Sequence, residues 1–188
     1  VLIGFVLGII LALMRLGHNK FLHGLAVAYI EFIRGTPLMV QVMFVYFGIG
    51  AVIQSLPALA AGIIAVSLNS GAYVAEVIRS GIESIAIGQT EAARSLGMSQ
   101  KQTYQYVVIP QAIKNIWPAL GNEFITLIKE SSIVSVIGVG DLMYQTQLVQ
   151  SATYKGVAPL AITMVIYFVL TFTLSKGLNY FEGKMKHE

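Results

Sequence analysis

Apolar residues arrive along this chain in five runs separated by polar passages: 1–14, 24–49, 58–80, 105–128 and 157–179. A helix needs about 20 mainly apolar residues to cross the hydrocarbon core of a bilayer, and the last four runs reach that length. Each is predicted to be a membrane-crossing helix. The first, "VLIGFVLGIILALM", would rise only about 21 Å and is too short to span. Without an initiating Met, a basic segment or a small-residue cleavage site, it does not have the form of a signal peptide. It reads as the second half of a helix whose beginning is missing from this chain.

Composition agrees with a membrane protein. Of 188 residues, 56% are hydrophobic and only 11% charged, with a mean hydropathy of +0.74; in a soluble domain about a quarter are charged. The absence of cysteine excludes a disulfide framework and any thiolate metal site. His18, His23 and His187 offer no paired-ligand spacing. A net charge of +3, with no cluster of five basic residues, gives no footprint for nucleic acid.

The basic residues instead orient the chain, because short loops rich in Lys and Arg stay on the cytoplasmic side. Arg15 and Lys20 follow the first run, Arg94 and Lys101 lie between 80 and 104, and Lys184 and Lys186 close the chain; these segments are predicted to be inside. The uncharged loop at 50–57 and the segment 129–156, where Lys129 and Lys155 are balanced by Glu130 and Asp141, are predicted to be outside.

The longest polar passage, "EAARSLGMSQKQTYQYVVIP" at 91–110, therefore begins in the cytoplasm. Thr90 is a candidate N-cap, Glu91 suits the positive end of a helix dipole, and Gly97 supplies a left-handed stop, which predicts a short helix over 91–96. Ser99 with Gln102 has the spacing of a capping box, so a second helix starts there and runs into the next span. Ala92, Ala93 and Leu96 share one side of the short helix, and Glu91 and Arg94 are spaced to pair. Two alanines and one leucine make a weak lipid anchor. A docking knob for a cytoplasmic protein fits the pattern better than a connector lying on the headgroups.

At this point the sequence resembles a known family. Glu91, Ala92, Ala93, then Gly97, then Val107, Ile109 and Pro110 resemble the EAA motif of the membrane subunits of ATP-binding-cassette importers, with Val107 and Ile109 where that motif usually has Ile and Leu. The segments "EFIRGTPLMVQ" (31–41), "SGAYVAEVIRSGI" (70–82) and "NEFITLIKESSIVSVIG" (122–138) resemble the polar amino acid permeases among them. The resemblance implies an all-α membrane protein, a type I importer bundle of five spans with the first truncated. Residues 1–188 would form one permease domain with a coupling loop at about 83–104. Glu91, Ala92, Ala93, Arg94 and Gly97 would belong to the coupling helix seated in a separate ATPase subunit. It also implies a second permease, a copy or a paralogue, an extracytoplasmic amino-acid-binding protein, and the cytoplasmic membrane of a bacterium.

No G-x-x-x-x-G-K-[ST] loop for ATP phosphates occurs. ATP and Mg²⁺ are thus expected on the partner ATPase, with no cofactor in this chain. No Ser-His-Asp or H-E-x-x-H arrangement supports an enzyme either. An ion-driven carrier is the main rival, disfavoured by the cytoplasmic knob and by the lack of an internal repeat; a purely structural subunit is disfavoured by the charges inside the spans.

Those charges cost about 2.5–3.5 kcal/mol each at a bilayer centre, so each needs a partner or a polar cavity. Glu31 with Arg34, and Glu76 with Arg79, have i, i+3 spacing and are expected to be structural ion pairs. Gly35, Thr36 and Pro37 then predict a bend. Asn69 and Ser70 lie about halfway along the third span, and Asn122 and Glu123 follow Pro118 in the fourth. These four are the candidate substrate contacts. Glu123 has no cation within a helical turn; either it contacts a solute, or it pairs with Lys114, Lys129 or another helix. As a solute contact it would favour arginine, lysine or histidine, the competing solute being glutamine.

Overall fold

A computed structural model describes residues 1–52 and 56–187. Residues 53–55 of the loop expected outside, and the side chains of Lys184 and Lys186, lie outside the description. The chain folds as α1 (Leu2–Leu16), α2 (Lys20–Arg34), α3 (Leu38–Val52), α4 (Ala58–Glu83), α5 (Ile87–Ser95), α6 (Ile109–Glu130), α7 (Leu142–Thr153) and α8 (Val157–His187). A turn at Gln100–Thr103 and a π-helical turn at Tyr104–Val108 lead into α6, and a 3-10 turn at Ser131–Ile137 leaves it. No strand occurs among the described residues.

The bundle is assembled around α4, on which α1, α2, α3 and α6 all pack. Small residues bring α1 closest. A Cβ on Gly8 would lie 2.4 Å from Val74, and one on Gly71 would lie 2.8 Å from Leu7. Such close backbone approach is how helices associate where lipid removes the hydrophobic drive. Gly4 faces Ser67 and Ser70 while Gly8 faces Gly71 and Val74, so α1 and α4 run parallel, the direction the loop charges require of both. Leu11, Ala12, Ala26, Ile30, Ile33, Ala72 and Ala75 close a core among α1, α2 and α4. A second core joins Val42 and Val45 of α3 to Ala61, Ala65 and Ile137.

The run at 24–49 is broken where Gly35, Thr36 and Pro37 predict a bend. The helix stops at Arg34 and restarts at Leu38 with a bend of 103°. Pro37 has no N–H to continue the ladder and forces Thr36 out of the helical region. The carbonyl oxygens released at the break accept side-chain bonds instead: Thr36 Oγ1 donates to Phe32 O at 3.0 Å, and Gln41 Nε2 donates to Ile33 O at 2.7 Å.

Among the described residues two helices, α4 and the Val157–Tyr180 part of α8, have both the length and the hydropathy of a crossing, and a third counts if α2 and α3 form one broken span. α6 has the length, but Lys114, Glu123, Lys129 and Glu130 dilute its hydropathy. The segment 129–156, expected only to be an outside connection, holds the 3-10 turn and α7. Gly138 at φ 81° ends the turn, and Asp141 Oδ1 accepts from Tyr144 N at 2.8 Å to start α7.

Candidate functional site

Helix α5 starts four residues before the predicted position. Ala86 is its N-cap and Thr90 lies inside it, so Glu91 stands in the second turn rather than the first. The start is set by where α4 ends: its cap, Ser84, bonds back to Ser80 O, and only Ser84, Ile85 and Ala86 separate the two helices. A capping side chain contributes about 1 kcal/mol and yields to that geometry.

The other end follows the residues. Gly97 sits at φ 84°. Its N–H donates to Arg94 O at 3.0 Å while Met98 N donates to Ala93 O at 3.2 Å, the pair of bonds that closes a Schellman stop. Ser99 Oγ accepts from Gln102 N at 3.3 Å and Gln102 Oε1 accepts from Ser99 N at 2.8 Å, completing the capping box. Arg94 does not pair with Glu91. Its guanidinium donates to Met98 O at 2.7 Å, because the carbonyls past a helix end are unsatisfied acceptors within its reach. Ala92, Ala93 and Leu96 do not act as one face: Ala93 is buried against the chain, whereas Glu91, Ala92 and Leu96 are exposed, Leu96 by 84%.

The ionic groups gather toward the C-terminal ends of α1, α2 and α4. Glu76 of α4 accepts from Arg15 of α1 at 2.8 Å, is paired by Arg79, and has Arg34 of α2 at 3.7 Å; Arg79 also pairs with Glu83. One carboxylate thus ties three helices together. The expected pair of Glu31 with Arg34 is absent. Arg34, the last residue of α2, turns inward to Glu76 and lies over the Tyr73 ring at 5.5 Å, while Glu31 is exposed. A partly buried carboxylate flanked by an aromatic face offers a guanidinium more than an exposed neighbour does.

Of the four candidate substrate contacts, Asn69 and Ser70 are buried, each 3% exposed. Asn69 Nδ2 donates to Gln41 Oε1 of α3 at 3.0 Å, and Ser70 faces Gly4. Asn122 is exposed and Glu123 half-buried. Ser84 meets Asn115 at 2.8 Å and Gly81 abuts Ile116, fixing α4 antiparallel to α6. Counting inward by about 11 Å from that contact reaches Tyr73 on one helix and Glu123 on the other. Glu123 therefore stands at the level of Tyr73 and Arg34, and the charges whose fields reach it are Glu130 and Arg34. None of the ion pairs among the described residues includes it, with Lys114 or Lys129 or otherwise. Sequence spacing missed Arg15, Gln41 and Tyr73, whose partners lie 28 or more positions away or on another helix. Proximity of Gln41 to the Pro37 break was the one local signal.

Together these features define a helical membrane component whose ionic groups are turned inward and whose short polar helix stands at one end. Residues 4–187 match the family of binding-protein-dependent transport system inner membrane components, and the chain belongs to that family. It is similar to a probable glutamine ABC transporter permease of Bacillus subtilis (strain 168), with 42% identity over 182 residues covering 97% of this chain and 84% of that protein. An arginine transport system permease of the same organism is 43% identical over 186 residues, covering 98% and 85%. Among solved structures it is similar to the crystal structure of an amino acid ABC transporter with histidines, at a TM-score of 0.92 and 51% identity, covering 97% of this chain and 86% of that one.

Proposed function

We propose that this chain is the permease subunit of an ATP-driven importer of polar amino acids in the bacterial cytoplasmic membrane, with a cationic amino acid such as arginine as its preferred solute. A separate ATPase binds ATP and Mg²⁺, a binding protein outside delivers the solute, and a second permease completes the pathway. The relatives named for glutamine and for arginine, and the related transporter solved with histidines, support the class.

The observation that carries the preference is Glu123, a half-buried carboxylate in the middle of α6 outside every ion pair among the described residues. An ionised group at that depth needs a compensating charge, and a passing guanidinium or ammonium supplies it. Asn122 beside it offers donors and acceptors, while Asn69 and Ser70 stand behind, holding the helices. Uptake into reconstituted vesicles, comparing arginine, glutamine and glutamate, tests this. Wild type should favour arginine, and Glu123→Gln should lose at least tenfold of arginine uptake while sparing glutamine. Unchanged arginine uptake in that variant, or a preference for glutamate, refutes the charge selection.

Coupling rests on α5. In Gly97→Val a β-branched residue would have to hold φ 84°, at a cost of about 1–2 kcal/mol. The corner then shifts, and ATP hydrolysis should continue with uptake reduced severalfold. Full uptake with normally stimulated hydrolysis would remove α5 from that role.

A further inference from the structure

Gln41 occupies an unusual place at the membrane elbow. Its two amide N–H groups are shared among three oxygens: Ile33 O at 2.7 Å on the α2 side of the break, and Thr36 O at 3.1 Å and Thr36 Oγ1 at 2.8 Å within it. Its own Oε1 accepts from Asn69 of α4 at 3.0 Å. One side chain on α3 thus reaches back across the break to α2 and sideways to the central helix. On the other side of the break, Arg34 is held to α4 through Glu76 at 3.7 Å. The 103° bend is consequently fastened to α4 on both sides, by Arg34 and by Tyr29, whose hydroxyl donates to Leu68 O at 2.9 Å, before Gly35, and by Gln41 after Pro37.

α4 continues without interruption from Asn69 to Glu83, about 21 Å, and α5 begins at Ile87, three residues beyond Ser84. A displacement of α5 is delivered to Asn69 by a single rigid helix. Asn69 is 3% exposed and packed among neighbours, so it moves with α4 rather than independently. From Asn69 itself the hydrogen bond toward the elbow runs to Gln41, while at Leu68 the hydroxyl of Tyr29 on α2 donates to the backbone carbonyl.

We propose that Gln41 is a positioning residue for translocation, a fastener that sets the angle of the α2–α3 elbow and makes it follow α4. The donors matter, not only the shape. Glutamate at 41 keeps the size and the acceptor facing Asn69 but cannot donate to Ile33 O or Thr36 O, so it presents lone pairs to carbonyl oxygens. Leucine removes the donor to Thr36 O and leaves Ile33 O only the long contact from Thr36 Oγ1 at 3.4 Å, in a site where water is scarce. The role rests on the importer assignment above for its transport readout, and on the fold alone for its geometric one.

Both readouts belong in one experiment. The chain has no cysteine, so spin labels at Phe32→Cys and Phe44→Cys, positions 68% and 69% exposed on either side of the elbow, report the angle in the reconstituted transporter. The unsubstituted elbow should give one narrow distance, and Gln41→Leu and Gln41→Glu a broadened or displaced one. Uptake should fall at least tenfold in both variants, with stimulated ATP hydrolysis kept within about threefold. Gln41→Asn shortens the reach by one methylene and should lose uptake, and adding Asn69→Gln, which restores it, should recover at least half. An unchanged distance in Gln41→Leu overturns the fastener even if the protein transports nothing, as does normal uptake in Gln41→Glu. Failure of every form to take up any amino acid, with the label distances still shifted by Gln41→Leu, would count against the proposed function and for the fastener.

Discussion

α4 and the crossing part of α8 are the two helices with the clearest membrane character, yet they are built for opposite surroundings. Over its most apolar stretch α4 is 56% buried in the chain; the corresponding stretch of α8 is 11% buried. α4 carries Asn69, Glu76, Arg79 and Glu83 and is lined with Ala, Gly and Ser, whereas α8 shows Ile162, Met164, Val165 and Phe168 outward. The more apolar helix is the peripheral one. Hydropathy therefore ranks contact with lipid, and polar groups inside a crossing mark contact with protein. The working residues follow the second property: the ionic hub and the elbow fastener both attach to α4.

Breaking α4 should cost most. Gly8→Leu inserts a side chain where even a Cβ would meet Val74 at 2.4 Å, and overpacking of this kind costs about 3 kcal/mol. The expected outcome is loss of folded chain, read as a collapsed monodisperse yield in detergent and a lowered unfolding temperature. Normal yield would mean that the α1–α4 seam can open freely. Glu76→Gln should come next. It leaves Arg15 and Arg34 without their carboxylate and Arg79 with Glu83 alone, and at a side-chain exposure of 19% the loss should be about 1–2 kcal/mol, below the 3–5 of a fully buried pair. Thermal unfolding should show it, and Glu76→Asp should recover part of it. Smallest is Ile162→Ala on α8, 63% exposed, where a change within about 0.5 kcal/mol is expected. A loss well above 1 kcal/mol in the assembled transporter would sharpen the contrast differently, by showing that α8 is covered by another subunit rather than by lipid.

What could be read from the residues was governed by how local each cause is. Gly97 at φ 84° and the Ser99–Gln102 box depend on neighbours within four positions, and both stand as the sequence has them. The break at Gly35–Pro37 was legible for the same reason, although its 103° was not, because the angle is set by Gln41 and by packing on α4. Partner choice is the nonlocal part. Arg34 has Glu31 three residues away and takes Glu76 on another helix; Arg94 has Glu91 and takes a carbonyl. Spacing tells which pairs are possible, and burial decides among them. Asn69 shows the limit from the other side: its depth in the span was correct, and its orientation toward Gln41 rather than an open path needed the position of α3.

The parallel seam of α1 on α4 also has a consequence for how the protein is made. Gly8 meets Val74, sixty-six positions later in the chain, and translation at about 5–20 residues per second takes roughly 3–13 s to cover that stretch. Throughout that interval a 15-residue helix with two glycine notches on its packing face waits for the surface that fills them. The α4 half of the seam is thus supplied last, after α2, which meets the same core of α1 earlier in the chain.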